Sequence, residues 1–202
     1  MPEDLEALKH GPTDSGVDDL ILRRWSPRTY ADKPVSSADL TKIFIAASWA
    51  ASASNEQPWR FFVGKKGDPT YTKIFDTLVE FNQSWAKSAP ILVLSAAKKT
   101  FTKNAQPNHH ALHDTGLASA TLSLEATALG LHTHGMAGFD RDKARATFSI
   151  PDDYEIGAVW AIGHLGEAGA LPEHLQKMEL APRERKPIAE FVLEAWDSPA
   201  TL

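Results

Sequence analysis

The sequence predicts a single α+β domain over residues 1–202. Ile91–Ala97 and Tyr154–Leu165 are short runs that are apolar on both faces, as strands covered from two sides must be. His110–Leu131 has helical periodicity with two apolar stripes, and after its histidine-rich start Asp114 and Glu125 are its only charges. A chain of 202 residues with 43% hydrophobic content is long enough for one sizeable core.

Residues 1–17 are polar, rich in Gly and Pro, and read as an irregular N-terminal arm. Helix character starts near Asp18 and runs through Leu20, Ile21 and Leu22 into Arg23-Arg24-Trp25-Ser26-Pro27-Arg28, a Pro-broken turn. Its guanidinium groups are planar, permanently charged donors that suit a phosphate, and a solvated basic helix end is the plainer alternative. Ser36-Ser37-Ala38-Asp39 has the form of a capping box, and Leu40, Ile43, Phe44, Ala47, Ala50 and Ala51 follow at helical spacing.

That helix delivers Ser52-Ala53-Ser54-Asn55-Glu56-Gln57-Pro58-Trp59. Pro58 biases Gln57 to extended backbone and stops the helix. Asn55 and Gln57 each carry donors and an acceptor, which together satisfy a heterocycle edge without bringing charge to it. A structural helix-to-strand connection around a core Trp is the other reading. Arg60 to Gly64 then reads as a strand, Tyr71 to Gln83 as a helix, and residues 98–109 as a loop of the kind that covers pockets.

Gly130 ends the long helix, and Leu131 to Phe139 reads as a glycine-punctuated loop. Asp140 caps a helix to about Phe148, and Ile150-Pro151-Asp152-Asp153 forms a turn. Residues 166–202 read as an extended, Pro-rich C-terminal segment holding Arg183-Glu184-Arg185-Lys186-Pro187 and a short amphipathic stretch, Ile188–Trp196.

A net charge of −5 with scattered basic residues argues against nucleic acid as a partner. No apolar run approaches the roughly 18–20 residues of a membrane span, and Met1-Pro2-Glu3-Asp4 is acidic where a signal peptide would be basic, so a soluble, cytoplasmic protein is expected. Zero cysteines leave any redox chemistry to a cofactor. His109, His110, His113, His132 and His134 raise a metal site as a rival, but no Cys or third carboxylate completes a ligand motif, so no metal is expected.

Taken in order, Arg24-Trp25-Ser26-Pro27-Arg28, Ser52 to Trp59 and Arg183-Glu184-Arg185-Lys186-Pro187 resemble three segments of the nitroreductase family of FMN-dependent oxidoreductases. These are Arg-x-Ser-x-Arg/Lys, Ser-x-x-Asn-x-Gln-Pro-Trp and Lys/Arg-x-Arg-x-Pro, and the likeness spans roughly residues 18–192. The resemblance implies a three-layer fold with a central, mainly antiparallel sheet flanked by helices, in an intertwined homodimer with FMN at the interface. It implies a phosphate cradle of Arg24, Ser26, Arg183 and Arg185, with Trp25 in the same turn where many relatives carry Arg or His.

The resemblance also puts Arg28 near the pyrimidine side of the flavin and Asn55 on the ring edge beside Ser54 and Gln57. His134, Gly135, Met136 and Gly138 fall where the family lays backbone N–H groups along the flavin near N5, and His134 is a candidate proton donor. The implied reaction is ping-pong: NADH or NADPH gives hydride to the flavin, which passes it to a small acceptor such as a nitroaromatic or quinone. A flavin-binding relative that oxidises a small molecule or peptide, or breaks down flavin, is the alternative, and a His-based metalloprotein is a third.

Overall fold

The computed structural model describes residues 2–202. Its elements are α1 (Pro2–Lys9), α2 (Asp19–Arg23), α3 (Ser37–Ser48), β1 (Trp59–Lys65), α4 (Pro69–Phe75), α5 (Glu80–Ala86), β2 (Ile91–Lys98) and α6 (Ala111–Ala128). Then come β3 (His132–Met136), α7 (Arg141–Phe148), β4 (Tyr154–Gly163), α8 (Glu173–Leu180), β5 (Leu193–Ala195) and β6 (Ser198–Pro199). Four strands form one antiparallel sheet in the order β1-β2-β4-β3, and β5 pairs with β6 in a separate hairpin.

β2 and β4, the runs apolar on both faces, are the central strands. Side chains alternate along β2, so Ile91 and Val93 pack with α3 and α6 while Leu92 and Leu94 pack with α4, α5, α7 and α8. The result is α+β in three layers with the sheet in the middle. β2 bulges at Ser95, whose hydroxyl accepts from Ala158 N at 2.9 Å and donates to Ala158 O at 3.0 Å. A Cβ at residue 157 would meet that hydroxyl at 2.6 Å, which is why glycine stands there.

Caps set the helix starts. Ser36 Oγ accepts from Asp39 N at 3.0 Å, Asp68 from Tyr71 N at 2.7 Å and Asp140 from Lys143 N at 2.9 Å, each worth about 1 kcal/mol. Along α6, Thr115, Ser119, Ser123 and Thr127 are buried, and each donates at 2.9 Å to the carbonyl four residues earlier. The buried hydroxyls are thus satisfied inside the helix. Leu112 in the first turn and Leu117 on the opposite face are exposed, so the cover that the sequence of α6 demands is incomplete within one chain.

Four local expectations change. The N-terminal arm contains α1, which docks by packing Leu5 against Trp25 and Leu165; eight residues make a marginal helix without such contacts. The predicted Tyr71–Gln83 helix breaks after Phe75, where Thr77 O accepts from Asp140 N at 2.8 Å and Thr77 Oγ1 donates to Ile74 O at 2.6 Å. The predicted loop at 131–139 contains β3, because pairing with β4 satisfies its backbone. Residues 166–202 are not extended throughout: they hold α8, and Ile188–Trp196 forms a 3-10 turn that runs into β5.

Candidate functional site

Asp18 Oδ1 accepts from Leu20 N at 2.9 Å and starts α2, and the chain leaves the helix at Arg24. The turn that follows lines a cavity of about 230 Å3. Arg24, Trp25, Ser26 and Arg28 border it, together with Met178 and Glu179 of α8, Arg183 and Arg185 beyond α8, and Lys9 at the end of α1. The two arginine segments predicted to share a ligand therefore do meet, although more than 150 positions separate them in the sequence.

Five cations on this cavity face one carboxylate, Glu179. Burial, and then the neighbouring Arg185, lowers the pKa of Arg24; burial, Arg185 and Arg24 do the same to Arg183. These two guanidinium groups are thus disfavoured by their surroundings, and an anion in the cavity would relieve both. Glu179 is 1% exposed, and burial raises its pKa against the opposing pull of Arg28 and Lys9. Its Oε1 accepts from Arg28 N at 2.7 Å, while Oε2 lies 3.9 Å from Arg28 Nη1.

Arg183 Nη1 donates to Leu22 O at 2.7 Å and to Lys9 O, tying α1, α2 and the C-terminal segment together. Arg185 Nη1 donates to the adjacent Glu184 O at 2.7 Å. Trp25 Nε1 and Arg28 Nε are buried donors with no acceptor among the described residues. Trp25 itself is 5% exposed in the small core it shares with Leu5 and Leu165.

The amide turn is built differently. Ser54, Asn55 and Gln57 have φ of 54°, 54° and 52°, so Gln57 is not extended as its place before Pro58 predicted; Asn tolerates this region, which costs Ser and Gln on the order of 1 kcal/mol each. Hydrogen bonds hold the conformation: Asp114 Oδ2 accepts from Ala53 N at 2.9 Å, and Ser52 Oγ accepts from Gln57 N at 3.1 Å. Gln57 Nε2 donates to Asn55 Oδ1 at 3.2 Å. The side chains of Ser54, Asn55 and Gln57 are exposed, so a strained turn presents its amides outward.

Within one chain the two halves lie apart. The amide turn enters β1, one edge of the sheet, whereas the arginine turn lies beside β3, the other edge. Three interstrand spacings, about 14 Å, separate those edges. The amide turn is tied to Asp114 in the first turn of α6, while Arg23 shares a second cavity with Thr127 in the last turn, about 20 Å along the helix.

β3 anchors the arginine turn. His134 Nδ1 lies 2.9 Å from Pro27 O, which identifies it as the protonated nitrogen of the neutral ring, and the ring packs on Trp85 with centroids 4.6 Å apart. Burial lowers the His134 pKa to about 4, and burial with His164, Arg23 and Arg24 lowers that of His132 to about 4. Both rings are uncharged at neutral pH, and neutral His134 ties the turn to β3 through Pro27 O. Met136 is buried in the core, and Gly138 O accepts from Asn82 Nδ2 at 2.9 Å and from Val79 N at 3.1 Å. Gly135 is exposed on this edge strand, whose outward backbone groups have no ladder partner.

Lys9, Asp114 and Glu179 belong to the two half-sites and went unnoticed as site residues in the sequence. Asp114 left a signal, since it is one of two charges in an otherwise uncharged helix. Among the described residues no three His, Asp or Glu side chains gather as metal ligands, and no helix is long and apolar enough to cross a membrane.

A model of the nitroreductase family matches residues 21–76 and 65–164. An uncharacterised 15.4 kDa protein of Mycolicibacterium smegmatis is 34% identical over 149 residues, spanning 69% of this chain and 99% of its own length. An NADH dehydrogenase of Thermus thermophilus is 28% identical over 189 residues, spanning 78% of this chain and 90% of its own. A crystal structure of an oxidoreductase containing FMN is 35% identical and superposes with a TM-score of 0.85, covering 91% of this chain and 93% of its own.

Proposed function

The chain belongs to the nitroreductase family, and on that premise we propose that it is an FMN-dependent NAD(P)H oxidoreductase whose flavin sits between two copies of the chain. The observation that carries this reading is the convergence of Arg24, Ser26, Arg28, Arg183 and Arg185 on one cavity with an excess of positive charge. A phosphate monoester carries about −1.5 to −2 charge at neutral pH. Its acceptor oxygens also answer the two unpartnered buried donors, Trp25 Nε1 and Arg28 Nε. When bound, FMN would supply the hydride-transfer chemistry between NADH or NADPH and a small acceptor such as a nitroaromatic or quinone.

The chain's own residues bind and orient. Arg24, Ser26, Arg183 and Arg185 would hold the phosphate, and Arg28, fixed through its N–H by Glu179, would bring positive charge to the pyrimidine side of the ring. Asn55, with Ser54 and Gln57, would meet the ring edge from the second copy. The outward backbone of β3 and the residues after it, from Gly135 to Gly138, would flank the ring. Neutral His134 keeps the arginine turn seated against β3 through Pro27 O.

Two features support a second copy. The amide turn and the cradle lie at opposite edges of one chain's sheet, too far apart to grip one ring edge together. Large apolar side chains also lie open at Trp49, Phe191 and Trp196, which are 84%, 63% and 89% exposed.

The test is anaerobic reduction of the FMN-loaded protein. NADH or NADPH is expected to bleach the flavin absorption, and a nitroaromatic or quinone to restore it. Loaded protein that neither nucleotide bleaches would refute the reductase assignment in favour of a non-reductase flavoprotein.

A further inference from the structure

The geometry points to Lys9 as a further cation for the phosphate, beside Arg24, Arg183 and Arg185, and to α1 as a clasp that the phosphate holds closed. This extends the flavin reading above and rests on it. Lys9 is 5% exposed, an unusual state for a lysine, and it lines the same cavity as Arg24 and Arg185. Its ammonium lies 5.2 Å from the Trp25 ring centroid and donates to Ala181 O. Trp25 therefore serves as the platform on which this cation rests.

The local chain does not fully compensate the buried charge. Burial lowers the Lys9 pKa; Glu179 opposes the shift, and Arg183 and Arg28 reinforce it. Glu179 is also shared, since its Oε1 is already bonded to Arg28 N. A cation buried among cations costs free energy until an anion arrives.

Lys9 cannot leave without α1. Leu5 packs on Trp25 and Leu165, Arg183 donates to Lys9 O, and Glu6 approaches His132 at 3.6 Å. The last contact is weak because that imidazole is uncharged at neutral pH. An eight-residue helix is marginal on its own. Closure of α1 and occupation of the cradle by phosphate are therefore linked, each favouring the other by the same coupling free energy.

The experiment compares FMN with riboflavin, which has the same ring and no phosphate, on wild type, Lys9→Met, Lys9→Arg and Arg185→Ala, with hydrogen exchange of residues 4–9 recorded in parallel. Lys9→Met should weaken FMN about tenfold or more while leaving riboflavin unchanged, and Lys9→Arg should stay near wild type. FMN should slow exchange in α1, and riboflavin should not. If Lys9→Met binds FMN like wild type while Arg185→Ala loses it, the cradle stands and Lys9 is excluded from it. If Lys9→Met loses FMN and riboflavin equally, the effect is general loosening and the clasp is refuted. If wild type binds neither FMN nor riboflavin, the flavin reading fails and the clasp fails with it.

Discussion

Replacing His134 with asparagine is expected to make the fold less sensitive to mild acid. Burial lowers the pKa of His132 and of His134 from the ordinary 6.5 to about 4. Below pH 6.5 the unfolded chain binds protons that the folded chain refuses until about pH 4. Stability is therefore full at and above neutrality and is lost as the pH falls through that window. From pH 7 to pH 5 the loss is about 2 kcal/mol per ring, or about 4 kcal/mol for both. Glu179 acts in the opposite sense, because its raised pKa favours proton uptake on folding as the pH falls. His134→Asn keeps an N–H donor near Pro27 O and does not titrate. Urea unfolding of wild type and variant at pH 7 and pH 5 isolates the His134 contribution: the variant should lose about 2 kcal/mol less than wild type. Equal losses would refute the claim that a buried neutral imidazole holds the arginine turn.

The amide turn and the composite site make further predictions. Asp114→Ala removes the carboxylate that accepts from Ala53 N; losing a hydrogen bond to a charged acceptor should cost about 1.5–3 kcal/mol in thermal unfolding, and an unshifted Tm would show that Asp114 does not hold the turn. Asn55→Ala should shift the flavin midpoint potential to more negative values by withdrawing a neutral donor from the reduced ring, whereas an unchanged potential would make the amide structural only. Arg24→Ala and Asn55→Ala chains should each bind FMN weakly alone, yet mixed dimers should recover one intact site; no recovery would contradict a site shared between copies.

Capping and two-sided strands were legible in the sequence because their causes are local. Ser36 and Asp140 cap by accepting from the N–H three residues on, and Ile91–Ala97 announced its central place by being apolar on both faces. The cradle was legible in part, as arginine turns whose ordered spacing matched a family. What escaped depends on tertiary partners. α1 is marginal until Leu5 meets Trp25 and Leu165. β3 has a loop-like composition, with two histidines and a glycine in five residues, and becomes a strand through pairing with β4. Glu179 looks like any helix carboxylate until α8 docks and buries it against Arg28. Nor does the sequence reveal that the amide turn and the cradle occupy opposite edges, since strand order is fixed by packing.

The cradle is probed most sharply by an FMN titration of wild type, Arg185→Ala and Lys98→Ala, followed by flavin fluorescence. Arg185 donates to its neighbour's carbonyl on an exposed stretch, so its loss should leave the fold intact. Lys98 bonds the Thr102 hydroxyl at 3.1 Å, away from the cradle. Wild type and Lys98→Ala should bind FMN with the same affinity, and Arg185→Ala should bind at least about tenfold more weakly, the loss of one charge-assisted bond. Equal affinity in the two variants, or a wild type that stays colourless after FMN is added, would contradict a phosphate held by these arginines.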